Sequence, residues 1–306
     1  MRLFREFENS AEPEGGAHGA DQASELPLHP SNVKAIVALA SARGGVGKSS
    51  LTVNLAVALA LKGRKVGILD ADLNSPCIAA MLGMRRIQVF QAAGVIEPAA
   101  GPLGLRVIGI DLLSGGGAPP MPVFGMEAAP PVVHEPAPLS ETQTLRRLLT
   151  ETRFGALDLL LIDIPSGLDH FERLARLAAL SGVLFVTQST DLALRAVHRA
   201  IEVAAENSTP LLGIIENMAG FYCGHCQSVR PLFPQGDTLG LRREFESSIL
   251  GRLPFDPRLA ESCDRGVVFV RQYADTPLAK EIIALAERLE HALSARAQAG
   301  RASVPP

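Results

Sequence analysis

This sequence has a small net charge and lacks long hydrophobic runs. The 306 residues carry a formal net charge of −3, so no overall electrostatic attraction favours nucleic acid or an anionic membrane as a partner. No stretch approaches the ~20 consecutive apolar residues of a membrane-spanning helix. The N-terminal run MRLFREFENSAEPEGG lacks the apolar core of a secretory signal. We therefore expect a cytoplasmic protein that binds neither nucleic acid nor membrane.

Cysteine is sparse as well. The sequence has only four cysteines, and two of them, Cys223 and Cys226, are spaced C-x-x-C. In a reducing compartment such a pair is more often a metal-ligand or redox pair than a structural disulfide. The isolated Cys77 and Cys263 are expected to be small buried residues with a structural role.

Short apolar runs alternate with helical stretches from Val33 onwards. This alternation is typical of a parallel sheet covered on both faces, and the 47% apolar content supports a sizeable core. The predicted fold class is therefore α/β, a mostly parallel β-sheet with helices on both faces. The predicted strands are residues 35–40, 66–69, 106–110, 157–163, 183–187, 211–215 and 249–253. The predicted helices are residues 49–61, 142–150, 171–179, 192–206, 241–245 and 277–297.

Composition also gives the expected domain boundaries. Residues 1–31 are rich in Glu, Gly, Ala and Pro and cannot repay their ordering entropy by burial, so they predict a disordered N-terminal tail. A single domain is expected at residues 32–298, followed by a disordered C-terminal tail at 299–306. Residues 115–138 hold too many prolines and glycines for a helix or a central strand, which predicts a long surface excursion.

A glycine-rich loop lies between the first predicted strand and the first predicted helix. Its sequence is SARGGVGKSS, residues 41–50, and its place between strand and helix is typical of a phosphate-binding loop. Backbone N–H groups and the helix N-terminus would hold the phosphates, Lys48 would neutralise them, and the Ser49 hydroxyl would ligate Mg²⁺. The predicted nucleotide-binding residues in this loop are Gly44, Gly45, Val46, Gly47, Lys48, Ser49 and Ser50. The strict motif is not satisfied, because Ala42 stands where it expects glycine.

Carboxylates follow two of the predicted strands. Asp70 and Asp72 come at the end of the second strand, where ligands of parallel α/β sheets bind. Asp70 is expected to contact the magnesium shell or the loop. Asp163 follows the apolar run LDLLLI and matches a Walker B carboxylate that holds Mg²⁺ through water. An aspartate on a buried strand without such a partner would be costly.

Several motifs in order resemble one family. GGVGKSS, VGILDADLNSPCIAAMLG, LDLLLIDIPSG, LLGIIENMAGFYCGHC and LGRLPFDPRLAESCDRG look like successive motifs of the MinD/ParA-type deviant Walker A ATPases. In their order and their residues, these motifs are most similar to those of the Mrp/ApbC iron–sulfur cluster carriers, over residues 33–290. The resemblance implies an ATP-hydrolysing homodimer in which a basic residue before the glycines reaches the partner's nucleotide, and that position is Arg43 here.

The resemblance also implies roles for further residues. Asp72 would orient the attacking water, Asn217 would contact adenine, and residues 254–257 would form the loop that closes over the base. Two departures predict a slow ATPase. Arginine replaces the usual lysine at position 43, and residues 165–170 read PSGLDH where relatives read PPGTGD.

The cysteine pair allows three interpretations from its spacing alone. It would be half of a zinc site, half of an iron–sulfur ligand set, or a redox pair, and the redox interpretation is the weakest because the pair lies late in a P-loop domain. A tetrahedral metal site needs four ligands, and two copies of Cys223 and Cys226 across a twofold axis supply four. The resemblance implies that such a dimer holds a [4Fe-4S] cluster and passes it to apo iron–sulfur proteins.

A regulatory or positioning ATPase of the MinD/ParA type, without a cluster, is the main alternative function. It would require a membrane-targeting tail or a basic surface for DNA. The predicted terminal helix is amphipathic but has mixed charges and no aromatic anchors, which favours packing on the sheet. A third interpretation is a divergent member that binds nucleotide and hydrolyses it very slowly.

Overall fold

The structure is a computed structural model of the full chain. It describes residues 27–84, 87–89, 91–92, 94–113, 139–223, 225–226, 228–233 and 248–302. The predicted excursion at 115–138 and the predicted helix at 241–245 lie outside these residues. So do residues 1–26 and 303–306 of the two predicted tails.

One mixed sheet organises the fold. The strand order is β10-β9-β8-β1-β7-β2-β6-β5, with β11 paired to β9. All pairs in this sheet are parallel except β5 with β6 and β9 with β10. The strands are β1 (Ile36–Ala40), β2 (Val66–Asp70), β5 (Ala99–Ala100), β6 (Arg106–Ile108), β7 (Leu159–Asp163), β8 (Gly182–Thr187), β9 (Leu211–Cys223), β10 (Ser228–Arg230) and β11 (Ile249–Phe255). A separate small hairpin joins β3 (Gln91–Ala92) and β4 (Val95–Ile96).

The central strands form where the sequence is continuously apolar. Every residue of β1, β2, β7 and β8 is buried, as expected for strands covered on both faces. Because their carboxyl ends lie at one edge, the loops after β1, β2 and β7 meet there. This edge carries the glycine-rich loop and the acidic residues that the sequence singled out, and the predicted fold class is confirmed.

Nine α-helices and one short 3₁₀ helix, Pro102–Gly104, occur within the described residues. The α-helices are α1 (Lys48–Leu61), α2 (Ile78–Met81), α3 (Ile110–Leu113), α4 (Glu141–Glu151), α5 (Leu168–Leu177), α6 (Asp191–Glu206), α7 (Pro257–Arg265), α8 (Phe269–Gln272) and α9 (Pro277–Ala302). Ser140 and Gln143 form a capping box at the start of α4, in which the side chain of each accepts the backbone N–H of the other. Thr276 caps α9 by accepting the Ala279 N–H at 3.2 Å, and Pro277 follows as the first helical residue.

Short elements were not predicted. The four helices α2, α3, α7 and α8 and the strands β3, β4, β5 and β10 have no counterpart among the predicted elements. Most of them span four residues or fewer, which is less than the window in which a hydrophobic period can be recognised. The exception is α7, which Asp256 caps, Pro257 begins and Gly266 ends, and these local signals were not used in the prediction.

Strand β9 differs most from its prediction. The expected strand ended at residue 215, whereas β9 runs to Cys223. Its outer half is less apolar, and it remains extended because other strands pair with it there. Phe221 pairs with Phe255 of β11 on one side and with Arg230 of β10 on the other. Tertiary pairing therefore decides the length of this strand.

The observed structure also extends past both predicted boundaries of the domain. Leu28, within the predicted N-terminal tail, forms a parallel bridge with Ala178, and its N–H donates to the Leu177 carbonyl at 2.8 Å. At the other end α9 continues to Ala302, so residues 299–302 are helical where a disordered tail was expected. Within the described residues, no helix is both long and apolar enough to cross a membrane.

Candidate functional site

The glycine-rich loop joins β1 to α1 at the carboxyl edge of the sheet. Gly45 and Gly47 have φ values of +76° and +82°, which only glycine adopts without strain. A Cβ at Gly47 would also lie 2.5 Å from Asn217 Nδ2. Gly47 is the N-cap of α1 and its carbonyl accepts the Leu51 N–H at 3.0 Å. The loop thus has the tight turn that a phosphate cradle requires.

Lys48 and Asp163 form a buried ion pair beneath this loop. Lys48 Nζ lies 2.6 Å from Asp163 Oδ1, and the two side chains are 6% and 0% exposed. Thr52, one helical turn after Lys48, donates from Oγ1 to the same carboxylate oxygen at 3.0 Å. Sequence analysis predicted the lysine and the aspartate but missed Thr52. A hydroxyl four residues after the lysine, and therefore on the same face of the helix, is the signal that it could have used.

The other oxygen of Asp163 marks a position for a cation. Among the described residues, Asp163 Oδ2 is buried and has no hydrogen-bond partner. Carboxylate oxygens are ligands that Mg²⁺ prefers, and Ser49 follows Lys48 at the start of α1. The residues present therefore fit a Mg²⁺ ion bound with nucleotide, held by Ser49 and, through water, by Asp163. The ion would neutralise charge on the phosphates.

Asp70 lies opposite Asp163 in the register of β2 and β7. Its carboxylate accepts N–H groups from Asp72 at 3.1 Å, Cys77 at 2.8 Å and Ile78 at 3.0 Å. Burial raises the pKa of the Asp70 carboxyl to about 7, the charge of Asp163 adds to the rise, and the backbone donors oppose it. These three bonds close the turn of residues 71–77, and none of them joins Asp70 to the glycine-rich loop. The expected contact of Asp70 with the magnesium shell stays a prediction.

Asp72 sits on that closed loop. It is half-buried, and its Oδ1 accepts the Ser75 N–H at 3.0 Å. This bond is the ordinary contact of an aspartate in a turn. The loop brings Asp72 to the same edge of the sheet as the phosphate-binding loop, and its predicted role in orienting water stays a prediction.

The two isolated cysteines flank the start of α1. The Cys77 thiol hydrogen-bonds the Ser49 side chain, and burial raises its pKa to about 11. Cys263 is buried and hydrogen-bonds the Ser50 side chain, and burial raises its pKa as well. Both thiols are therefore protonated near neutral pH, as suits the structural role expected of them.

The segment after β7 contacts the start of the glycine-rich loop. The Gly167 N–H donates to the Ser41 carbonyl at 2.9 Å, and Ser41 Oγ donates to Ser166 Oγ at 3.4 Å. The altered sequence at 165–170 is thus attached directly to the loop that would sense nucleotide. Arg43 is exposed to solvent at this loop, where it is free to extend away from its own chain.

Asn217 connects the glycine-rich loop to β9. Its side chain is buried and donates from Nδ2 to the Val46 carbonyl at 2.8 Å. The sequence placed Asn217 at a strand end, whereas the structure places it in the middle of β9. The next residue, Met218, has a φ of +55°, which is uncommon outside glycine. Residues 254–257, expected to form a loop, are instead the end of β11 and the first turn of α7.

The cysteine pair lies at the far end of the same strand. Cys223 is the last residue of β9, and Cys226 lies in the turn that leads to β10, so the pair belongs to a β-hairpin. Cys223 is half-buried and Cys226 is exposed. A hydrogen bond from the Ser228 side chain lowers the pKa of the Cys226 thiol to about 7, and bonds to Cys223 and Arg230 contribute.

One chain supplies an incomplete ligand set. Across the part of the chain that the structure describes, no group of three or more His, Cys, Asp and Glu side chains is arranged to hold a metal ion. Two thiols, one of them with a lowered pKa, are half of the donor set for a tetrahedral zinc or an iron–sulfur cluster. The residues present fit one half of such a site.

Comparison with known protein families identifies the chain. Residues 32–290 match the ParA group described as NUBPL iron-transfer P-loop NTPases. The chain belongs to this family. The resemblance that the sequence motifs indicated is thereby confirmed.

Relatives of this NUBPL-type NTPase align over most of their length. An iron–sulfur cluster carrier protein from Saccharolobus solfataricus is 34% identical over 267 residues, which cover 87% of this chain and 86% of the relative. A cytosolic Fe-S cluster assembly factor, CFD1, from Yarrowia lipolytica is 34% identical over 260 residues, or 81% of this chain and 84% of the relative.

Solved structures agree with the family fold. A nucleotide-binding protein from Archaeoglobus fulgidus in complex with ADP superposes with a TM-score of 0.66 and 31% identity, covering 82% of this chain and 92% of the other. The cell division ATPase MinD from Pyrococcus furiosus has a TM-score of 0.56 at 20% identity, over 84% of this chain and 99% of MinD, which shows a shared fold.

Proposed function

We propose that this protein is an ATP-hydrolysing carrier of a [4Fe-4S] cluster that works as a homodimer and delivers the cluster to apo iron–sulfur proteins. The observation that carries the proposal is a single strand serving both sites. Asn217 on β9 holds the glycine-rich loop, and Cys223 ends the same strand in the cysteine hairpin. The names of the relatives as iron–sulfur carriers and assembly factors support the same function.

The nucleotide half of the proposal uses residues at the carboxyl edge of the sheet. Lys48 would exchange its contact with Asp163 for the phosphates, Arg43 would stabilise charge on the partner's nucleotide, and Asp72 would orient the attacking water. A slow reaction is expected, because an arginine fork does not reproduce an ammonium at position 43. The unusual segment at 165–170, which bonds Ser41, favours slow hydrolysis too.

The cargo half of the proposal uses the hairpin. Two thiols per chain cannot complete a four-ligand site, so two chains are required. Cys226 is exposed at the hairpin turn, where a second copy can approach it. Iron–sulfur cargo is favoured over zinc because the chain belongs to an iron-transfer family.

The test is anaerobic reconstitution with iron and sulfide, followed by iron, sulfide and visible-spectrum measurements. We expect about four irons and four sulfides per dimer in the wild type. We expect none in the double variant Cys223→Ser, Cys226→Ser. The double variant Cys77→Ala, Cys263→Ala is the matched control, because it also removes two thiols but leaves the hairpin intact, and it should load fully.

ATP binding is measured on the same samples. A double hairpin variant that still holds a full cluster would contradict the ligand assignment. If the hairpin cysteines bound zinc instead of iron, the proposed iron–sulfur cargo would be wrong. Absence of iron from the wild type, with ATP still bound, would favour a regulatory ATPase of the MinD/ParA kind.

A further inference from the structure

One face of the cysteine hairpin collects polar groups around the thiols. In the antiparallel register Ser228 lies opposite Cys223, and Arg230 lies opposite Phe221. Opposite residues share a face, and residues two apart on a strand share it too. Cys223, Ser228 and Arg230 therefore lie on one face, while Val229 lies on the other.

Both polar residues of this face reach the exposed sulfur. Ser228 Oγ lies 2.9 Å from Cys226 Sγ, and Arg230 donates to the same sulfur from Nη2 at 3.9 Å. The backbone positions that allow these contacts depend on Gly220. A Cβ there would lie 2.6 Å from Val229 Cγ1 and 3.0 Å from the Arg230 carbonyl oxygen. The hairpin is closely paired, and the two donors are held beside Cys226.

These donors match the chemistry of a metal-bound thiolate. A cluster with four thiolate ligands is anionic, and hydrogen bonds to its sulfurs set its reduction potential. Groups that bond to metal ligands also fix the ligands in place and raise affinity for the metal. A hydroxyl and a guanidinium on one sulfur supply both a directed donor and a compensating positive charge.

We propose that Ser228 and Arg230 are positioning residues for the cluster: they hold the Cys226 sulfur in its binding geometry and stabilise the negative charge on the cluster. The inference rests on the proposed function, since it assumes that Cys226 is a cluster ligand. It adds that the strength with which the carrier retains its cargo is set by two residues outside the C-x-x-C motif. In a homodimer the two copies would place four such donors around one cluster.

The test compares reconstituted Ser228→Ala, Arg230→Gln and wild-type protein. Cluster loss is followed by the visible band after an iron chelator is added, and the reduction potential is measured on the same samples. Each variant should load iron and then lose it ~10-fold faster, at the lower end of the effect of removing such partners. Each potential should shift to a more negative value, because a donor to sulfur stabilises the extra electron of the reduced cluster.

Matched variants separate this effect from damage to the hairpin. Val229→Ala alters the same strand on its other face, where the side chain is 58% exposed, and should release iron at the wild-type rate. Ser228→Thr keeps the hydroxyl and should restore retention. Arg230→Lys keeps the charge without the planar fork and should restore the potential more fully than the retention.

The outcomes distinguish the inference from the function on which it rests. Wild-type release rates and potentials in both Ser228→Ala and Arg230→Gln would overturn the inference and leave the carrier function standing. Equal acceleration in Val229→Ala would also overturn it, because the hairpin fold alone would then explain the loss. A wild-type protein that binds no iron would overturn both.

Discussion

At the scale of single residues, the most consequential contact is the one between Lys48 and Asp163. Sequence motifs assign these residues to phosphate and to magnesium, but they do not predict that the two side chains bind each other. Both are buried, so neither charge has water to solvate it. In the nucleotide-free protein, each charge offsets the cost of burying the other.

This contact predicts a large loss of stability on removal of the lysine. Lys48→Met leaves the Asp163 carboxylate buried without its counter-charge, and breaking a buried pair in this way costs about 3–5 kcal/mol. Urea unfolding in buffer without nucleotide and magnesium measures the loss. Lys62→Met is the matched control: it removes a lysine of an exposed pair, with Glu287 at 2.7 Å, and should cost about 1 kcal/mol or less.

A second comparison isolates the charge. The double variant Lys48→Met, Asp163→Asn removes both charges and should recover much of the stability lost in Lys48→Met alone. Equal unfolding midpoints for Lys48→Met and Lys62→Met would show that the buried pair does not stabilise the nucleotide-free protein.

At the scale of secondary-structure elements, β9 is the part of the fold that joins the two candidate sites. Its first half pairs with β8 and carries Asn217 against the glycine-rich loop. Strand β11 pairs with β9 between Ile214 and Phe221, and β10 pairs with the last three residues of β9, which end at Cys223. Cys223 follows Asn217 by six residue steps, at most ~20 Å along an extended strand. A movement of the glycine-rich loop that displaces Asn217 would therefore act on the cysteines through one short stretch of the same strand.

The pairing of β9 with β10 predicts a specific effect of a methyl group. Gly220→Ala places a Cβ 2.6 Å from Val229 Cγ1, so β10 must move away. Overpacking of this kind costs about 1–3 kcal/mol. We expect faster amide hydrogen exchange in residues 221–223 and 228–230 and weaker retention of iron, with ATP affinity unchanged.

The same contact offers a rescue. Val229→Ala removes Cγ1, so the double variant Gly220→Ala, Val229→Ala should regain part of the protection in the hairpin. Unchanged exchange in Gly220→Ala would mean that β10 tolerates the methyl group and that close pairing does not hold the hairpin. Loss of ATP binding in Gly220→Ala would show that the two halves of β9 do not respond separately.

At the scale of the whole molecule, the two candidate sites are distinct, and in the proposed dimer each needs a second copy of the chain. The glycine-rich loop lies at the carboxyl edge of the central strands, with Arg43 exposed. The cysteine hairpin lies at the end of β9 and supplies two thiols. In the proposed dimer, the second copy would receive Arg43 at its nucleotide and would supply the other two thiols of the cluster.

The proposed dimer predicts that mass and iron content change together. In nucleotide-free buffer, light scattering on the iron-free protein should give mostly the monomer mass of 32.4 kDa, and loading with iron should shift it to twice that value. Cys223→Ser with Cys226→Ser should stay monomeric under the same conditions. A monomer mass with a full cluster would mean that one chain, with non-protein donors, completes the site.

The sequence by itself determined the parts of this protein that depend on local residue chemistry and on the spacing of apolar residues. The glycine-rich loop, the lysine and serine that follow it and the apolar central strands were predictable because a phosphate cradle and a buried strand each need particular residues at fixed spacing. Six of the seven predicted strands match observed strands with both ends within two residues, because each is a short apolar run with polar residues at its ends.

The tertiary structure decided what depends on contacts between distant residues. The length of β9 follows from pairing with β10 and β11, so the cysteines lie on a hairpin rather than in a loop. Thr52 joins the buried pair because packing brings the Asp163 carboxylate within its reach. Lys48 and Asp163, for example, are 115 positions apart in the chain, and no local pattern encodes a contact over such a separation.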